Sequence, residues 1–159
     1  TNFPEETKAE YKESVVRKYE TEDKEIRYIV TVPLHGGKIE KLSTVTIEYD
    51  QNINYVDTTE ILISDVDETY GNVTVYKLGK KLLDQNINKE EGNEIQASFW
   101  SCLNNCLASQ GIAGWTITAL SIACGLACAG TAGLGCIVCL AALTAGAEWV
   151  IANCVYSCS

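Results

Sequence analysis

The sequence predicts an α+β fold in two parts. A small N-terminal α+β domain of one helix and about four antiparallel strands is followed by a disulfide-stapled, all-α helical-hairpin domain. Three observations predict it. All eight cysteines lie between Cys102 and Cys158. Residues 98–159 carry a single charged side chain, Glu148, while residues 1–97 hold all 12 basic and 20 of the 21 acidic side chains. Apolar alternation of the kind that marks half-buried strands recurs through the first part. The break in composition sets the expected boundaries: an acidic domain over 1–83, a polar linker over 84–97, and a cysteine-rich apolar domain over 98–159.

In the first part, the segment PEETKAEYKESVVRKYE (Pro4 to Glu20) reads as a polar helix. Acidic residues crowd its start and Arg17 and Lys18 its end, which suits the helix dipole. The next segment, EIRYIVTVPL, alternates Ile26, Tyr28, Val30 and Val32 with its other residues and reads as a strand. A turn at His35-Gly36-Gly37 returns the chain into KIEKLSTVTIEYD, and TEILISDV and GNVTVYKL supply two more strands. The pentapeptide DQNIN occurs twice, at Asp50–Asn54 and Asp84–Asn88. It marks either a duplicated hairpin or recurrent asparagine-rich loop chemistry.

No catalytic constellation appears, and the chain reads as a non-enzyme with no cofactor. His35 is the only histidine, and beside two glycines it reads as a turn residue. Asp65, Asp67 and Glu68 resemble a calcium loop, but glycine falls at the seventh position, Gly71, where that loop needs it at the sixth. An acidic turn is the reading kept. Asn72-Val73-Thr74 fits a glycosylation acceptor. A net charge of −9 argues against nucleic acid as a partner, because phosphates require a basic face.

In the second part the cysteines form four pairs: Cys102/Cys106, Cys124/Cys128, Cys136/Cys139 and Cys154/Cys158. Residues three or four apart share one helical face. Each pair therefore presents two sulfurs to a facing helix. Helices are expected at Trp100 to Ser109, Trp115 to Ala129 and Ile137 to Ala152, with a turn at Gly130 to Gly135. A nested antiparallel arrangement then joins Cys102 to Cys158, Cys106 to Cys154, Cys124 to Cys139 and Cys128 to Cys136. Eight cysteines allow 105 pairings, so this one rests on the helical-hairpin geometry. Zinc is the competing use of such spacings, but the surroundings are apolar and contain no histidine, so no metal site is expected.

Even cysteine numbers in a short segment point to an oxidising compartment, hence a secreted or extracellular protein. The chain begins at Thr1 with no basic, apolar leader, which reads as a product whose signal peptide has been removed. The apolar spans Gly111–Ala129 and Gly133–Ile151 are each about 28 Å long if helical, near the thickness of a bilayer core. Small residues at four-residue spacing (Ala119, Ala123, Ala127; Ala141, Ala145) allow close helix packing, in a membrane bundle or a compact core alike. Trp100, Trp115 and Trp149 sit near helix ends and are membrane-facing candidates, although core packing accounts for a tryptophan equally well.

The sequence SFWSCLNNCLASQGIAGWTITALSIACGLACAGTAGLGCIVCLAALTAGAEWVIANCVYSCS resembles the C-terminal part of the halocin C8 family of bacteriocin precursors. The likeness covers the last 62 residues and is one of composition and cysteine spacing. It implies that the C-terminal part is cleaved out as an antimicrobial, with an immunity role for the N-terminal part. The bond expected to be cut lies near Ala97-Ser98, which leaves the charged residues behind. The reading is a precursor whose C-terminal domain acts on the lipid membrane of target cells, its own N-terminal domain serving as mask or immunity element. The alternative is a saposin-like lipid-binding or surface interaction protein.

Overall fold

A computed structural model describes residues 3–21, 23–40, 42–91, 98–109, 111–129, 139, 153–154 and 157–158. Seven antiparallel strands dominate it: β1 (Lys8–Ala9), β2 (Val15–Glu20), β3 (Ile26–His35), β4 (Thr44–Asp50), β5 (Tyr55–Asp65), β6 (Tyr70–Lys77) and β7 (Lys80–Asn88). Two helices follow, α1 (Ser98–Ala108) and α2 (Gly114–Ala129). The strands form a meander in the order β3-β4-β5-β6-β7, and β1 and β2 share the outer edge of β3. Every pairing joins strands close in sequence, so the sheet needs few long loop closures.

This architecture corrects the expected fold class. The molecule is mostly antiparallel sheet with two helices among the described residues, and not a four-stranded domain followed by a helical-hairpin domain. The polar helix expected over Pro4 to Glu20 is instead β1, a 3₁₀ turn at Tyr11–Glu13 and β2. The reason lies in Val15, Val16 and Tyr19, whose β-branched and aromatic side chains suit a pleated surface. Pairing of Val15 with Thr31 and of Tyr19 with Arg27 brings the Tyr19 hydroxyl to Glu48, to which it donates at 3.1 Å. Arg27 Nε lies 3.5 Å from the same carboxylate. Burial first, and then the Glu48 charge, push the Tyr19 phenol well above its usual range. An isolated helix with a thin apolar stripe has no such partners to gain.

The seventh strand also differs from expectation. β7 takes residues 84–88, read above as linker, and of that linker 92–97 lie outside the described residues. The two DQNIN copies therefore adopt unlike structures. Asp50–Asn54 is the turn between β4 and β5, with Ile53 exposed. Asp84–Asn88 is edge strand, with Ile87 only 5 % exposed. The same five residues follow their surroundings, as β-forming sequences commonly do.

The sheet buries one face under the helices. Ile61, Ile63, Val73, Val75 and Ile87 form one cluster with Leu103, Leu107, Trp115, Leu120 and others of α1 and α2. On the opposite face Glu60 is flanked by Val45 and Tyr76. It is 7 % exposed, and its Oε2 has no hydrogen-bond partner. Desolvation raises its pKa above the usual 4.5. The folded chain thus binds this proton more tightly than the unfolded chain does. Its contribution to stability is full below about pH 4.5 and falls as pH rises through the raised value. Glu60→Gln is expected to melt higher than the parent at pH 7 and close to it at pH 4. A lower melt at pH 7, measured by circular dichroism, contradicts this account of Glu60.

Candidate functional site: the cysteine helices on the sheet

From Trp115 to Cys124, α2 is buried or half-buried on every face, which is where a uniformly apolar helix belongs. Ile117, Ala119, Leu120 and Ala123 have no exposed surface, and Cys124 has almost none. Its hydroxyls turn back to the chain. Thr116 donates to the Ala113 carbonyl at 2.6 Å and Ser121 to the Thr118 carbonyl at 2.7 Å. Such bonds satisfy polar groups without partners from outside the helix. The absence of charge in this stretch is therefore matched by burial against protein. α2 is 16 residues long, about 24 Å, and among the described residues no helix is long and apolar enough to cross a membrane.

α1 presents two adjacent stripes. Leu103 and Leu107 are fully buried in the shared core. One residue earlier in each turn, Cys102 and Cys106 carry the bridges. The structure joins Cys102 to Cys158 and Cys106 to Cys154, with Cα separations of 5.8 and 5.7 Å, and Cys124 to Cys139 at 5.5 Å. These are ordinary separations for disulfides. No free cysteine occurs among the described residues. The side chain of Cys128 and the whole of Cys136 lie outside them, as do the turn at Gly130 to Gly135 and, apart from Cys139, the helix expected over Ile137 to Ala152.

Trp115 of α2 meets the sheet at Gly71. A methyl group placed on Gly71 would stand 2.1 Å from Trp115 Cζ3, so the indole lies directly on the strand backbone. Glycine inside a strand commonly marks such an approach. Lys89, just beyond β7, holds its ammonium 5.4 Å from the centre of the Trp115 ring. The same ammonium donates to the Asp65 carboxylate and, at 2.6 Å, to the Asp67 carbonyl. Asp67 is itself fixed: its Oδ1 accepts from the Tyr70 and Thr69 amides, both at 2.8 Å, and these bonds hold its carboxyl below the usual range. The acidic turn thus anchors a lysine, and no metal-binding cluster occurs among the described residues.

Trp115 is only 7 % exposed. In the folded chain the bare backbone at Gly71 and the Lys89 cation form its seat. The side chain of Trp100, Trp149 and Ala97 lie outside the described residues, and Ser98 opens α1. His35 is exposed, its Nε2 3.4 Å from Glu10 Oε2, at the turn begun by Gly36. Asn72 lies in β6, where its amide donates to Asp84 and Asn86, each at 2.9 Å, and its Oδ1 accepts from Thr74 at 2.8 Å. Sequence reasoning missed Gly71 and Lys89 as partners of Trp115. A glycine opening an otherwise alternating strand was the available signal.

Comparisons with protein-family models, with curated proteins and with solved structures find no match.

Proposed function

We propose that the chain is a secreted, bacteriocin-like precursor in which the sheet masks a membrane-active, disulfide-bonded helical segment. The observation that carries the reading is the seating of α2. A helix with no charge on any face packs against β5, β6 and β7 of the acidic part. Separated from that cover, Trp115 would face solvent or lipid. Transfer of apolar surface out of water is favoured at about 25 cal/mol per Å², so a membrane is the natural replacement for the sheet. The bridges within the segment keep it compact after separation, and their presence suits an extracellular setting. An immunity role follows in the same terms, because a surface shaped to hold the segment also neutralises it.

A cleavage step requires an accessible connection. Residues 92–97, GNEIQA, are polar and lack a hydrophobic period, and polar connections are where proteases cut folded chains. Limited digestion with a low-specificity protease, followed by intact mass measurement, is expected to cut first between residues 92 and 98. First cuts within β3 to β6, with that connection intact, would remove the basis for processing.

A further inference from the structure

Among the described residues, every member of the cluster that joins the sheet to α1 and α2 is aliphatic or a cysteine, except Trp115. Burial of aliphatic surface is non-directional. It holds an apolar helix of suitable shape without telling one such helix from another. The Thr116 and Ser121 hydroxyls add no discrimination, because both donate to carbonyls close by in their own segment. Trp115 differs. Its indole lies on the bare backbone of Gly71, where a Cβ would stand 2.1 Å from Cζ3, 2.5 Å from Cη2 and 2.6 Å from Cε3. The Lys89 ammonium stands 5.4 Å from the ring centre.

Groups of the sheet and its turn place that ammonium. The Asp65 carboxylate, at the end of β5, and the Asp67 carbonyl, in the turn before β6, both accept from it. The Asp67 carboxylate in turn fixes the loop through the Thr69 and Tyr70 amides. The Lys89 side chain is 21 % exposed. It is largely out of water, where a cation over an aromatic face gains most. A slot one glycine wide, with a fixed cation over it, fits a flat π-face. Leucine or isoleucine in the same slot gains nothing from the cation.

We infer that Lys89 is the specificity-determining residue of the sheet: among charge-free helical segments it selects one that presents a tryptophan at position 115. The inference rests on the masking role proposed above and names what the mask recognises. Lys89 lies before the connection at 92–97 and Trp115 beyond it, so a cut there leaves both sides of the contact in place.

The test cuts the oxidised full chain in that connection and follows the dissociation rate of the two parts at one fixed urea concentration. Four forms are compared: the parent, Lys89→Met, Trp115→Leu and the double change. Methionine keeps an unbranched apolar stem and removes the charge. Lys89→Met is expected to speed dissociation about tenfold when the indole is present, and to leave the Trp115→Leu form unchanged. Lys89→Arg, which keeps a cation over the ring, restores the parent rate. The same four forms uncut, unfolded by denaturant, must show the same coupling, which covers any variant that falls apart on cutting. Equal acceleration with and without the indole shows that the lysine stem only packs; it overturns the inference and leaves the masking role standing. Unchanged dissociation in Lys89→Met overturns it as well. Parent parts that separate at once on cutting overturn both the inference and the masking role.

Discussion

Gly71→Val is expected to lower the unfolding free energy by about 3 kcal/mol, near the upper end of the usual cost of overpacking. The ring atoms that a side chain at position 71 would strike belong to Trp115, which is buried and flanked by Lys89. It cannot swing aside without opening the core between sheet and α2. Even Gly71→Ala places a carbon at 2.1 Å from the indole. The double change Gly71→Val/Trp115→Leu provides the control. If the indole is the obstacle, the pair loses less than the two single changes summed, because residues in contact do not add. Chemical denaturation of the four proteins reads this directly. Strict additivity would show that Trp115 does not sit on Gly71.

Removing an outer disulfide has an effect of similar size. Cys106 and Cys154 are 48 residues apart, and Cys102 and Cys158 are 56 apart. The two are nested, so with its neighbour intact either one closes a ring of only about ten residues, and its removal is expected to cost about 2.7 kcal/mol in the chain-entropy model; opening Cys124–Cys139, which spans 15 residues, costs about 3 kcal/mol. The outer pairs fasten α1 to the end of the chain, and α1 contributes Leu103 and Leu107 to the common core. Cys106→Ala/Cys154→Ala should therefore loosen the helices on the sheet as well as lower the melt. Thermal unfolding followed by near-ultraviolet circular dichroism measures both. An unchanged melt would mean that this bridge constrains nothing the fold depends on.

Much of the sheet was legible in the sequence because its inner strands carry a strong two-residue period. Ile61 and Ile63, and Val73 and Val75, point to one face, and the turn residues between the strands have clear chemistry. The edge strands were not legible. β7 contains the polar DQNIN that forms a turn elsewhere in the same chain, and its placement depends on Ile87 finding the core. β2 was hidden by helix-forming lysines and glutamates, although Val15, Val16 and Tyr19 carried the opposite signal. In the helical part, the four-residue spacing of Cys102 with Cys106 and of Leu103 with Leu107 made α1 visible. The partner of α2 was not visible, because an apolar helix looks the same whether a bilayer or a sheet covers it. The Trp115 seat combines Gly71 and the acidic turn beside it with Lys89 and Trp115, which lie well beyond them in sequence, and no local pattern links the turn to these two.

The masking claim is tested most directly by dye release from lipid vesicles, comparing the intact chain with residues 98–159 released from the folded, oxidised protein by cleavage in the connection. The segment carries one charge, Glu148, so its membrane activity should depend little on salt. The account predicts that the released segment permeabilises the vesicles, that the intact chain does so far less, and that adding back residues 1–97 suppresses the release. Equal inactivity of both forms, or greater activity of the intact chain, would contradict it.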